Sequence, residues 1–249
     1  MKPNDRTVRL TWREFYSRIC EWAEHYISKG SYWHINGRPV CAFLNLSDFS
    51  DKYSAGVFGV MLEYCALLVE KYCGTRPYLI GIIGEASDKN IELSNSLPLD
   101  AITGYGLLPN WRGPAVQSYE HLIMQRISDW NRIQSRITIP FYPVVCAGWD
   151  ATVRGKCIGK RSSRAGYPDS PVVTEVSATA FGRFLDEAIE FNKKWKHAEN
   201  VIFLHAWNEW TESSVIEPSD RFGFDFLNEI ALRATDAHLS TLNEQSIIL

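Results

Sequence analysis

VIFLHAWNEW (201–210) is apolar except at His205 as far as Trp207, then ends on an amide, a carboxylate and an indole. A strand with so little polar alternation is buried on both faces, as strands are in a parallel sheet covered by helices. Its two-residue period puts Ile202, Leu204 and Ala206 on one face and Phe203, His205, Trp207 and Glu209 on the other. The first face suits packing against helices. The second points toward a barrel interior and delivers Glu209 to its mouth, where strand gives way to loop.

Four earlier runs have the same character: PVCAFLN (39–45), YLIGIIG (78–84), AITGYG (101–106) and IPFYPVVCAGW (139–149). Helical patterns lie between most of them. Residues 54–72 place Val57, Val60, Met61, Tyr64, Leu67 and Leu68 on one face and stop at Gly74. Residues 116–134 and 178–195 repeat the pattern, the latter with Phe181, Phe184, Leu185 and Ala188 after Ser177 as N-cap. Thr11 and Glu14 fit a capping box, which predicts a helix to about Ser28, before Gly30. Asn36-Gly37 reads as a turn into the first visible strand.

Alternating helices and strands mean βα units, arranged as an open doubly wound sheet or as a barrel. GIIGEASD (81–88) lacks the G-x-G-x-x-G spacing of a dinucleotide loop. Residues able to do chemistry follow strands instead, at Trp149-Asp150 and Asn208-Glu209, which is how the active face of a (β/α)8 TIM barrel is built. Such a barrel needs eight strands and five are visible. The expectation is therefore one domain over 1–249, of barrel type but incomplete, with about five C-terminal βα units and a loosely ordered tail at 234–249. Its two unpaired edges, 39–45 and 201–207, are too apolar to face water. Self-association, or a second chain supplying the missing units, follows as an expectation.

The chain has 249 residues, 22% of them charged, a net charge of −3 and a pI near 6.1, with no run of Lys or Arg interleaved with aromatics. Nucleic acid is not an expected partner. The six cysteines form no C-x-x-C pair and no zinc-finger spacing, so they read as reduced, buried thiols that hold no metal, which favours the cytoplasm. The N-terminus lacks a signal-peptide core, so an export signal would have to lie upstream of Met1, and no run is long enough for a transmembrane span. Nine Trp and eleven Tyr exceed what core filling usually demands and suit a glycan, whose apolar C–H faces pack on such rings.

The loop after residue 207 concentrates Glu209, Glu212 and Glu217 beside Trp207, Asn208 and Trp210. Cleaving or transferring a glycosidic bond needs one carboxyl to protonate the leaving oxygen and another to act as base or nucleophile. Repulsion and apolar walls would raise the pKa of one of them. An acidic, solvated loop fits the residue types equally well. In GWDATVRG (148–155), Trp149 would stack on a sugar while Asp150 and Arg154 bind its hydroxyls; the alternative is an Asp150–Arg154 ion pair bracing a loop. His205 reads as a hydrogen-bonded core residue.

HAWNEWTESSVIEP (205–218) resembles the W-N-E-W-x-E-G-x-x-[IL]-E-P signature of glycoside hydrolase family 99 and of the related WbsX-like proteins of polysaccharide biosynthesis. YWHINGRPV (32–40), GWDATVR (148–154) and DRFG (220–223) resemble further segments of that family in the same order, so the likeness covers about residues 10–233. It implies that Glu209 is the base at the sugar 2-hydroxyl and Glu212 the acid/base at the departing oxygen, with retention through an anhydro-sugar and no cofactor. The implied substrate is a mannose-type, O-antigen or capsule glycan. A glycosyltransferase of lipopolysaccharide or O-antigen synthesis, and an inactive remnant or partner-binding fragment, are the competing readings. Ser213 stands where the family has Gly, Ala151 where it has Asn, and three further family strands precede the matching region.

Overall fold

The computed structural model describes residues 11–105, 108–155 and 166–240, with side chains through residue 234. Helix α1 (Trp12–Trp22) starts on the expected capping box: the Glu14 carboxylate accepts the Thr11 N–H at 2.6 Å and the Thr11 hydroxyl accepts the Glu14 N–H at 3.3 Å. It loosens into a π-turn over Ala23–Ile27. Strands β1 (His34–Ile35) and β2 (Arg38–Leu44) then form a hairpin, joined by Asn36 and Gly37 at φ 51° and 73°. Positive φ at both positions matches the twist of a two-residue hairpin, which is why Asn-Gly serves here.

All five expected strands are present. Strands β2, β3 (Tyr78–Ile83), β4 (Ala101–Gly104) and β6 (Phe141–Tyr142) pair in parallel and in chain order. The run 139–149 is broken by Pro143, so β7 (Val144–Val145) pairs onward with β9 (Phe203–Leu204). Proline has no N–H for the ladder, but its carbonyl still accepts the Phe203 N–H at 2.9 Å. Helices α2 (Leu46–Tyr53), α3 (Ala55–Cys73), α4 (Asp88–Ser96), α5 (Tyr119–Gln134) and α6 (Ala178–Trp195) make the connections. The Ser177 hydroxyl caps α6 by accepting the Ala180 N–H at 3.2 Å.

Register places Phe43, Gly81, Ile102 and Phe141 in one row across four strands, facing the helices. At Gly81 an added Cβ would lie within 2.8 Å of Leu46 and Leu99, so close packing of α2 on the sheet requires glycine there. The opposite face holds a smaller apolar cluster of Val40, Tyr78, Ile80, Ala101, Tyr142 and Val201. Tyr78 and Tyr142 share a hydrogen bond of 2.7 Å within it, and burial pushes the Tyr78 phenol up to about 12. Ala42 and Leu44, on this same face of β2, are exposed.

Helix α3 turns differently from the expected face. Phe58, Met61, Leu62, Cys65, Leu68 and Val69 are buried, whereas Val57, Val60, Tyr64 and Leu67 face outward. A helix apolar nearly all round has no single stripe for periodicity to find, and packing chose the face carrying Phe58. Two short strands outside the apolar runs, β5 (Val116–Ser118) and β8 (Val172–Thr174), pair in parallel and tie the loop after β4 to the chain that follows Trp149. Helix α7 (Asp225–Ser240) carries regular structure through residues 234–240 of the expected tail. Cys20, Cys41, Cys65, Cys73 and Cys146 are free thiols, and Cys157 lies outside the described residues. No single described helix is long and apolar enough to cross a membrane.

Candidate active site

Ile202 and Leu204 pack toward the helices while Phe203 also meets the opposite cluster, so the chain leaves β9 with the expected alternation. Strand β10 (Asn208–Glu209) then folds back antiparallel on β11 (Ser214–Val215), enclosing a single 3-10 turn, Trp210–Glu212. The turn closes through Ser213 at φ 51°, a left-handed conformation that a Cβ disfavours. Gly148 makes room for it: the Ser213 carbonyl lies 3.0 Å from where a Cβ on Gly148 would stand. The Asp150 N–H donates to the Glu212 carbonyl at 2.8 Å, joining this turn to the loop after β7. Ser213→Gly should therefore raise stability by up to about 1 kcal/mol, read as an increased denaturation midpoint, while a lower midpoint would refute the strain.

This closure sets both carboxylates on one guanidinium. Arg154 reaches Glu209 Oε1 at 2.9 Å and Glu212 Oε1 at 2.7 Å, and its Nε donates to the Thr211 hydroxyl at 2.7 Å. Thr211 in turn donates to Glu209 Oε1 at 2.6 Å. The Tyr167 hydroxyl donates to Glu212 Oε1 at 3.1 Å and accepts from Arg154 at 2.5 Å. Glu212 is buried and Glu209 open to solvent. The Thr211 hydroxyl, with Arg154 adding to it, holds the Glu209 carboxyl below its ordinary value of 4.5. Repulsion was expected to push one carboxyl up; the shared cation offsets it, and the shift at Glu209 runs downward.

Aromatic rings wall the cluster. Trp111 meets Trp149 edge-on at 5.5 Å and Tyr167 at 6.5 Å between centroids. His205 lies 5.2 Å from the Tyr105 ring and 6.0 Å from Trp149, with burial holding its imidazole below the ordinary value. Burial first, then the charges of Glu212 and Glu209, raise the Tyr105 phenol. His205 thus belongs to this wall, and among the described residues its ring makes no hydrogen bond, contrary to the sequence expectation.

The other expected binding residues divide. Trp149 is 5% exposed and covered by Trp111 and His205, so it forms a wall and offers no open stacking face. Asp150 accepts from the Thr152 N–H at 3.0 Å and hydroxyl at 2.6 Å; the alternative Asp150–Arg154 ion pair is replaced by Arg154 on the two glutamates. Trp210 donates its indole N–H to Glu217 at 2.8 Å, fixing a ring that remains half exposed. Trp207 and Asn208 sit exposed on the hairpin. Trp149, Asp150 and Trp210 border a cavity of about 220 Å³ with Ser213, Arg221 and Phe222, and neither catalytic candidate lines it. Tyr105, Trp111, Tyr167 and Thr211 were missed by sequence reasoning. Of these, Tyr105 carries the signal used elsewhere, a polar-tipped residue directly after a strand.

A curled succession of parallel strands with polar side chains gathered beyond their C-terminal ends is an architecture shared with (β/α)-barrel enzymes. Residues 83–230 match the family described as Glycosyltransferase WbsX, and the chain belongs to that family. No curated protein matches it. Among solved structures it is similar to the family 99 endo-α-mannosidase from Bacteroides thetaiotaomicron in complex with BIS-TRIS-propane, at 12% identity and a TM-score of 0.53, over 92% of this chain and 67% of that one. A second structure of the endo-α-mannosidase from that organism gives 12% identity and a TM-score of 0.52, over 92% of this chain and 64% of its own. The chain thus spans about two thirds of their length, and at this identity the likeness is one of fold.

Proposed function

We propose that this chain acts on a glycosidic bond of a mannose-type, O-antigen or capsule glycan, with Glu209 as base at the sugar 2-hydroxyl and Glu212 as the acid at the departing oxygen. The observation that carries the reading is the convergence of both carboxylates on Arg154. Glu209, open to solvent and held ionised, suits a base. Glu212 is buried between Arg154 and Tyr167, where an entering sugar would displace the guanidinium and set its leaving oxygen against the carboxyl. Trp111, Tyr105 and Tyr167 supply rings for the sugar's C–H faces.

Transfer is the second reading, favoured by the glycosyltransferase description of the family. Incubating the chain with mannose-type oligosaccharides and separately with nucleotide sugars separates the two. A hydrolase shortens the oligosaccharide and ignores the nucleotide, whereas a transferase consumes the nucleotide sugar. Inertness toward both would favour the inactive or partner-binding reading.

The fold is read further as five βα units of a (β/α)8 barrel. Support comes from the four consecutive parallel strands β2, β3, β4 and β6, carried on by the parallel pair β7 and β9, and from Leu44, 49% exposed on the face that a closed barrel would line. Among the described residues β2 is flanked outward only by the two residues of β1, and β9 has no outward partner. Such edges template association. The purified chain should therefore self-associate, or pair with a chain supplying further units, as read by size-exclusion chromatography with light scattering. A stable monomer that unfolds cooperatively would contradict this.

A further inference from the structure

Thr211 is exposed on the 3-10 turn Trp210–Glu212, two residues beyond Glu209. Its hydroxyl stands between two charges: it accepts the Arg154 Nε–H at 2.7 Å and lies 2.6 Å from Glu209 Oε1. A guanidinium can only donate and an ionised carboxylate can only accept, so the single hydroxyl proton of Thr211 goes to Glu209. Both bonds therefore run in one direction, from Arg154 through Thr211 to the carboxylate. Among the described residues, the side-chain hydrogen bonds to Glu209 all end on Oε1, from Thr211 and from Arg154 at 2.9 Å. Oε2 is left for a substrate hydroxyl.

The two donors differ in what holds them. Arg154 lies 55 residues earlier in the chain and is divided among Glu209, Glu212, Thr211 and Tyr167, so a sugar that takes its place at Glu212 withdraws it from Glu209 as well. Thr211 has one χ1 torsion to set, and the Ser213 N–H on the Trp210 carbonyl at 3.2 Å closes the turn that carries it. Its bond to Glu209 needs nothing from the loop after β7. Of the effects that hold the Glu209 carboxyl below its ordinary value, the Thr211 hydroxyl bond is the largest, ahead of Arg154. The other titratable groups around Glu209 are Glu212, Tyr105, Tyr167 and His205. None of these is a cation at neutral pH, since burial holds the His205 imidazole below its ordinary value. Once the guanidinium moves off, Thr211 is the donor that stays.

We propose that Thr211 is a positioning residue for the base: its hydroxyl remains on Oε1 and holds Oε2 toward the sugar hydroxyl after the entering glycan has drawn Arg154 away. Thr211 itself neither gains nor loses a proton. This role rests on the reading of Glu209 as base, and it requires a hydroxyl at position 211.

Thr211→Val keeps the side-chain shape and removes the donor, and because the position is exposed the fold should survive. With a mannose-type oligosaccharide it should lower kcat/KM about tenfold and move the acidic limb of the pH profile upward. The sign follows from the lost bond: a carboxylate without its donor takes up a proton at higher pH, and the base must be ionised to act. Thr211→Ser should restore both rate and limb. Carbon-13 NMR of the glutamate carboxyls in the full chain, with the Glu209 signal identified by its loss in Glu209→Gln, reads the same bond without turnover. That signal should titrate at higher pH in Thr211→Val than in the wild type or Thr211→Ser. An unchanged titration, an unchanged limb, or activity that serine fails to restore would overturn the role. Inertness of the wild type, or full activity of Glu209→Gln, would instead remove the base assignment beneath it, so the two failures are told apart.

Discussion

Glu212→Gln should lower turnover by roughly 10³-fold while leaving oligosaccharide affinity within a few-fold of the wild type. Glu212 is buried and its Oε1 accepts from both Arg154 and Tyr167. An amide keeps that oxygen and the side-chain volume but cannot pass a proton to a leaving oxygen, so binding and chemistry part company. Glu209→Gln should behave alike, since its amide oxygen still accepts from Thr211 and Arg154. Rates and affinities measured on both variants decide between a catalytic pair and a merely acidic loop. Full activity in either variant would mean that the cluster only braces the hairpin.

Arg154→Met should reduce kcat/KM by about 10²-fold and move the acidic limb of its pH profile upward. In the wild type the base must be ionised to act, and Glu209 lies below its ordinary value of 4.5, so activity should rise with pH through a value below that. Removing the cation shared by Glu209 and Glu212 restores their repulsion and raises the limb, although the Thr211 hydroxyl retains part of the depression. Arg154→Lys should recover little, because a point charge cannot span Glu209, Thr211, Tyr167 and Glu212 as the fork does. A limb that stays in place would show that Arg154 does not set the carboxylates' charge.

The strands of the parallel sheet were legible because burial on both faces leaves an apolar run with no alternation, as in 78–84 and 201–207. Strands β5 and β8 were not, since three residues such as Val116-Gln117-Ser118 carry no pattern above a loop's. The face of α3 was misjudged because Val57 and Phe58 are equally apolar and only packing separates them. At the site, Glu209 and Glu212 stood out through local crowding, and Ser213 only through the resemblance, whose family has Gly at that place. Tyr167 and Trp111 did not, because their link to Glu212 spans long sequence separations and exists only once the loops after β4 and β7 have met. Arg154 was visible as a residue but not as the bridge, since Asp150 is nearer in sequence and nothing local shows that Thr152 occupies it first.

The most direct test is a crystal structure of Glu212→Gln with an oligosaccharide bound. The account predicts the scissile oxygen within about 2.6–3.2 Å of the residue 212 side chain, the 2-hydroxyl at Glu209, Arg154 drawn away from position 212, and a sugar ring against Trp111 or Tyr105. A glycan seated in the cavity behind the hairpin, beside Trp210 and Arg221, with Arg154 still joining positions 209 and 212, would contradict it.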